Sequence, residues 1–173
     1  MSSPSTTNPF LAPKLLQTTT LLVTGLSSGI SLSLSVFVTP RLLESPTPLM
    51  LRQWRHTYAL GAATMPLTAV AAGAAYAWLA LRAPGPRGRA LLTAAAALTA
   101  GIVPYTWACM LGVNKRLVEK EREVAALEKG GAELTAEEEI GAKGLVDFWG
   151  MLNLGRAGML IAGTACGLAA TVF

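Results

Sequence analysis

The chain has 173 residues, of which 52% are hydrophobic and only 14% charged, with a mean hydropathy of +0.47 and a formal net charge of +4. Soluble domains carry about 25% charged residues, so this composition excludes an ordinary water-soluble globule and points to a membrane protein. The basic balance does not signal nucleic acid, because the cations form no stripe beside aromatic residues.

Taken in chain order, residues 1–13, MSSPSTTNPFLAP, are rich in Ser, Thr and Pro and are predicted to be a disordered tail. Residues 14–173 are predicted to form a single membrane domain. A membrane helix needs about 20 mostly apolar residues. The first such run is about 15–38, closed by Thr39-Pro40. It exceeds the apolar core of a signal peptide, about 7–15 residues, and reads as a retained span. The second run is about 57–81, closed by Arg82 and the breaker Pro84-Gly85-Pro86. The third is about 90–113 and the fourth about 152–172. Unpaired backbone groups in lipid cost several kcal/mol each, so these runs should be helices. The expected fold is all-α: a four-transmembrane-helix bundle, integral and multi-pass. Nothing resembles the ~10-residue alternating segments of a membrane barrel.

Small residues recur at spacing four. Gly25 and Gly29 do so in the first span, Ala69, Gly73 and Ala77 in the second, Gly163 and Gly167 in the fourth. Such faces let membrane helices approach closely, and they offer a surface for homo-oligomerisation. Between spans three and four, residues 114–150 form a polar, charged helical insert with six Lys/Arg and nine Asp/Glu. Its VEKEREVAALEK segment extends span three, Gly130-Gly131 breaks it, and Thr135 to Glu138 reads as a capping box opening a second short helix. The insert is expected to be a water-exposed hairpin without chemistry. The Lys/Arg distribution favours placing it on the cytosolic side. Cys109 and Cys166 both lie in apolar runs, where they read as small packing residues rather than a metal motif.

By alternation, three stretches rich in polar and aromatic residues fall on one side of the membrane. Before span two comes RQWRHTY, with Trp54, His56 and Tyr58. At the end of span three come Tyr105, Thr106, Trp107 and Asn114. Opening span four is DFWGMLNLGR, with Asp147, Trp149, Asn153 and Arg156. Trp149, Asn153 and Arg156 share one helical face, and so do Trp54, Tyr58 and Gly61 if the second helix starts early enough. Facing inward, they would make an aromatic-walled pocket with a few polar groups at its mouth, the usual composition of a small-molecule site. Taken singly, each Trp also fits an interfacial anchor, Asn114 fits a helix cap, and Arg116 fits a side chain snorkelling to water. Arg156 is harder to dismiss, because a guanidinium within a span is costly and needs a partner. No nucleophile elbow, phosphate loop, zinc helix or dinucleotide fingerprint occurs. A single histidine cannot build a histidine-rich metal or haem site.

These residues together resemble the DUF1772 family, the anthrone oxygenase-like membrane proteins common in fungi. The matching features are Trp54-x-x-x-Tyr58, Pro104-Tyr105-Thr106, Asn114 eight residues after Thr106, and Trp149-x-x-x-Asn153-x-x-Arg156. The resemblance runs from the first span to the end of the chain but does not extend to the charged insert. It implies a membrane-bound oxygenase that oxidises an anthrone-type aromatic polyketide to an anthraquinone with molecular oxygen as co-substrate. No tightly bound organic cofactor and no metal are expected. On that reading His56, Asn153 and Arg156 are the expected catalytic residues, with His56 as base, since histidine ordinarily titrates near neutrality. Tyr58 or Asp147 follows as base if His56 is dispensable. Trp54, Tyr58, Tyr105, Trp107, Asn114 and Trp149 are the expected substrate-binding residues. The expected partners are a small aromatic substrate and the lipid bilayer. The rival reading is a non-catalytic tetraspan protein acting through helix packing with a partner. A transporter fits less well, because four short spans show no paired breaks of the kind that discontinuous helices need.

Overall fold

Four long helices joined by three short connections account for nearly all of residues 11–173, which the computed structural model describes. The first is Leu11–Leu43, the second Thr47–Arg82, the third Pro86–Lys129 and the fourth Ala136–Ala169. There is no strand among the described residues. The first three helices are long and apolar enough to cross a membrane. The fourth has the length, but three glutamates open it and Asn153 and Arg156 interrupt its apolar half. Short connections force successive helices to run antiparallel. The second helix packs on the third, the third on the fourth, and the fourth closes onto the first.

Several boundaries differ from the sequence expectation. Residues 1–10 of the expected disordered tail lie outside the described residues, and Leu11, Ala12 and Pro13 already belong to the first helix. Thr39-Pro40 does not end that helix, which runs on to Leu43. A wide turn over Leu34–Val38 absorbs the proline: the Thr39 N–H reaches back five residues to the Leu34 carbonyl. The Thr39 hydroxyl donates to the same carbonyl at 2.7 Å, one of the ways a helix in lipid satisfies freed backbone groups. The third helix carries a second wide turn over Thr106–Met110, just after Pro104.

The charged residues of 114–150 do not form a separate hairpin with its own short helix. They prolong the third helix to Lys129 and make up the first half of the fourth, which runs unbroken from its Thr135 cap. Gly131, with φ of 71°, supplies the left-handed turn that ends the third helix, and the Ala132 N–H returns to the Leu127 carbonyl at 3.0 Å, a common helix stop. These extensions are not merely solvated. Leu117, Val124, Ala142 and Val146 are buried with Met50, Leu51, Trp54 and Trp149 in the largest apolar cluster. The exposed ion pair Arg52–Glu128, at 3.2 Å, adds little to this.

The rest of the bundle is arranged for an apolar solvent. The first helix turns Thr20, Thr24, Ser27, Ser28 and Ser31 inward and Leu22, Leu26 and Ile30 outward. Thr24 and the Tyr76 hydroxyl share a hydrogen bond of 3.0 Å, and Ser28 and Thr164 share one of 3.2 Å. Small residues let the helices approach. A methyl group at Gly73 would lie 2.8 Å from the Ala100 Cβ, and one at Gly167 would lie 2.6 Å from the Tyr76 hydroxyl. Gly25 and Gly29 differ, because nothing lies within 4 Å of where their Cβ atoms would be.

Candidate active site

Proline, wide turns and aromatic residues converge at one level of the bundle, beside the largest apolar cluster. Here the second and third helices part around a cavity of about 210 Å³. The second helix contributes Tyr58, Gly61, Met65 and Pro66; the third contributes Ile102, Thr106, Trp107, Met110 and Asn114. Leu34 from the first helix and Trp149 and Arg156 from the fourth complete the wall. Both wide turns therefore border the cavity, a frequent placement for such turns in functional sites. Pro66 has no N–H to give the Ala62 carbonyl four residues back, and both residues line the cavity.

The second helix begins at Thr47, early enough to carry Trp54, Tyr58 and Gly61 on one face. Trp54 is fully buried and lies behind the wall rather than in it. It stacks flat on Tyr58, with centroids 5.1 Å apart and planes within 5°. Tyr58 and Trp149 thus present aromatic surface to the cavity over a Trp54 support. Trp107 is 69% exposed on the outside of the bundle and also lines the cavity.

Arg156 and Asn153 are buried together on the fourth helix. The Asn153 amide donates to the Trp149 carbonyl at 3.1 Å, and its oxygen accepts from an Arg156 terminal nitrogen. Asn153 therefore holds the guanidinium without reaching the cavity itself. The Arg156 Nε has no hydrogen-bond partner in the protein, and neither does the Asn114 Oδ1. Both side chains are at least nine-tenths buried and both line the cavity. A buried guanidinium N–H and a buried amide oxygen left open cost free energy, and a ligand with one acceptor and one donor would recover it.

Not every expected site residue is brought here. His56 is exposed, two residues from both Trp54 and Tyr58 and hence on the far side of the helix. Asp147 is exposed as well. Tyr105 turns to the fourth helix, where its hydroxyl donates to the Leu152 carbonyl at 2.9 Å and closes against Gly155. It ties the third helix to the fourth. Leu34, Met65, Pro66, Ile102 and Met110 escaped the sequence reading; Pro66, a proline within an apolar run, was the one visible signal. Among the described residues no three of His, Cys, Asp and Glu converge as a metal site would require.

Helical throughout the described residues, with three helices long and apolar enough to cross a membrane and an aromatic cavity backed by a buried guanidinium, the chain has the architecture of a membrane-associated protein with an internal cavity. The sequence signature of the family described as "Anthrone oxygenase" matches residues 54–166, which spans the second to the fourth helix. Monooxygenase hypC of Dothistroma septosporum is 35% identical over 83% of this chain and 76% of its own length. Anthrone oxygenase AgnL2 of Paecilomyces divaricatus is 34% identical over 86% of this chain and 90% of its own length. The noranthrone monooxygenase of Aspergillus flavus is 31% identical over 82% of this chain and 66% of its own length. No solved structure matches the chain. The chain belongs to the anthrone oxygenase family and is an anthrone oxygenase-like monooxygenase.

Proposed function

We propose that this protein binds a polyketide anthrone in the cavity between its second and third helices and converts it to the anthraquinone with molecular oxygen, without a tightly bound organic cofactor or metal. The observation that carries the reading is the buried Arg156 with its open Nε in an aromatic wall. At about 210 Å³ the cavity is smaller than the ~300–1,000 Å³ of drug-sized sites, which favours a compact, flat ligand.

An anthrone carries an acidic CH₂ between two aromatic rings, conjugated to a ketone. Trp149, Tyr58 and Trp107 hold the tricycle, and Asn114 accepts a hydrogen bond from a phenol. Arg156 donates to the ketone oxygen, and its charge is worth most when that oxygen becomes an enolate. Tyr58 takes the place given to His56 on sequence alone. Its hydroxyl first gives its own proton to water, and the phenolate oxygen then accepts the CH₂ proton. The enolate then gives one electron to O₂. Superoxide and the carbon radical combine as a peroxide anion, which takes back the proton held by Tyr58 to become a hydroperoxide. The O–O bond then breaks as the second CH₂ hydrogen leaves as a proton, and the departing hydroxide and that proton form water. The CH₂ carbon loses four electrons, one oxygen atom enters the quinone, and the other leaves as water. The substrate is its own reductant.

All four helices cross the bilayer in this reading. The fourth pays for its polar pair by burying Asn153 and Arg156 against each other and the cavity. The test is oxygen uptake by membranes containing the protein, with emodin anthrone as substrate. Quinone formation well above the spontaneous rate, lost in Arg156→Gln, is the expected result. Quinone formation at the spontaneous rate with correctly inserted protein would overturn the reading.

A further inference from the structure

Beside the cavity lies a second, more open hollow of about 250 Å³, lined by Arg55, Tyr58, Asn114, Lys115, Glu119 and Arg122. Tyr58 and Asn114 belong to both walls, so the two spaces meet at these side chains. The hollow is more polar than the cavity. Its three cations face one carboxylate. Among the described residues none of Arg55, Lys115 and Arg122 makes an ion pair, although Arg52 and Lys120 on the same helices pair with Glu128 and Glu123. Arg55 instead lies over the Tyr58 ring, 5.9 Å from its centroid. The Asn114 side chain, 4% exposed and with an unpartnered oxygen, sits at the junction.

We propose that this hollow is a second subsite, which takes an anionic group, a carboxylate above all, carried on the ring system held in the cavity. Unpaired cations are poised for a charged acceptor, and charge-assisted hydrogen bonds are the stronger kind. The open Asn114 oxygen between the two spaces is itself an acceptor and takes a hydroxyl of the ring system rather than the carboxylate. The inference rests on the proposed function and narrows its substrate class to ring systems bearing a carboxylate. A substrate lying across the Tyr58–Asn114 junction would place its ketone toward Arg156 and its carboxylate among Arg55, Lys115 and Arg122. The same chemistry is offered by the phosphate of an anionic lipid, so the test must separate the two.

The experiment uses the full chain in nanodiscs of phosphatidylcholine alone and of phosphatidylcholine with phosphatidylserine. Two probes are compared by quenching of tryptophan fluorescence, anthraquinone-2-carboxylate and unsubstituted anthraquinone, and turnover is measured in parallel on anthrones with and without a carboxyl group. In the neutral discs the carboxylate should bind more tightly than the neutral ring, by roughly tenfold, and the preference should appear in KM more than in kcat. Lys115→Gln/Arg122→Gln should bring the two probes to equal affinity, whereas Arg116→Gln, an exposed charge outside the hollow, should leave the preference intact. Equal affinities in the wild-type protein, or a preference indifferent to the double substitution, would overturn the subsite while leaving the oxygenase reading standing. A hollow that belongs to lipid would show no carboxylate preference in either disc and a loss of phosphatidylserine binding in the double variant, which also overturns the proposal. Carboxylate preference without any turnover would keep the subsite and overturn the reaction.

Discussion

Trp54 and Trp149 meet edge to face, with centroids 6.0 Å apart and planes at 85°. The second and fourth helices are thereby locked at the level of the cavity, and Trp149 is held with one surface free for a ligand. Such aromatic pairs are worth about 0.5–1.5 kcal/mol beyond the area they bury. Trp54→Ala should therefore lower stability through its lost volume, by about 3–5 kcal/mol for a buried Trp, and should weaken ligand binding only through the loosened Trp149. Thermal unfolding of the purified protein, with and without an anthraquinone, separates the two effects.

Arg156 is expected to act on the transition state more than on binding. Arg156→Gln should lower kcat by about 10²–10³-fold, as for removal of an oxyanion donor, with a smaller change in KM. Asn153→Ala should act through the arginine. It leaves a buried guanidinium without its acceptor, at a cost of about 1–3 kcal/mol, and should lower both thermal stability and kcat. Steady-state oxygen uptake and a melting curve on the same preparation check this.

His56 and Tyr58 make opposite predictions. His56 is exposed on the far side of its helix, so His56→Ala should keep turnover within about twofold, as for surface substitutions of under ±0.5 kcal/mol. Tyr58→Phe keeps the stack on Trp54 but removes the hydroxyl, and should slow turnover by about 10²-fold, in the range of general acid–base groups. Full activity in Tyr58→Phe would move the proton to water.

Glycines should separate into two groups. Gly167→Ala drives a methyl group into the Tyr76 ring, and Gly150→Ala drives one within 2.7 Å of Thr39. Overpacking of this kind costs about 1–3 kcal/mol. Gly25→Ala and Gly29→Ala meet open space and should leave the melting temperature unlowered.

The start of the fourth helix should respond to acid. The Glu138 carboxylate accepts from the Thr135 backbone N–H and hydroxyl, both at 2.9 Å, and these bonds hold it below the ordinary glutamate range, the backbone bond most of all. A depressed folded-state pKa stabilises the fold above the unfolded-state value, and that contribution is lost as pH falls through the folded-state value. The protection of the amides at residues 136–139, measured against free-peptide exchange at the same pH, should therefore fall on strong acidification. Glu138→Gln should keep the reciprocal cap and lose its pH dependence.

Much of this was legible in the sequence, and the reasons are physical. Apolar runs announce membrane helices because lipid tolerates little else, and Trp149, Asn153 and Arg156 announced a shared face by spacing alone. The site's inner details were less visible. Periodicity placed Trp54 and Tyr105 near the cavity's level but could not tell a wall from its support, because that depends on which neighbour claims the side chain. His56 looked suitable by chemistry, but it is exposed on the helix face away from Trp54 and Tyr58. The inward hydroxyl ladder of the first helix was missed, since a Ser/Thr-rich apolar run reads the same whichever face is buried. The wide turns at Leu34–Val38 and Thr106–Met110 have no sequence signature beyond their neighbouring prolines.

Those two wide turns also bear on how the chain tolerates change in length. Each holds one residue more than an α-helix would between the same two hydrogen-bonded levels. Deleting a single residue between Thr106 and Met110 would let the third helix close into uninterrupted α-geometry. Everything beyond the deletion would keep nearly its present orientation relative to Ile102, because the wide turn and the α-turn that replaces it cover about the same rotation and rise. A deletion in the regular helix before the wide turn would instead rotate all that follows by about 100°. Asn114 would leave the cavity, and Lys115 and Arg122 would leave the hollow beside it, while the composition and hydropathy of the helix stayed almost unchanged. Single-residue deletions scanned along this helix should therefore be tolerated at its two ends and at the wide turn and fail between Ala90 and Ile102, where register rather than chemistry is what the chain has to keep.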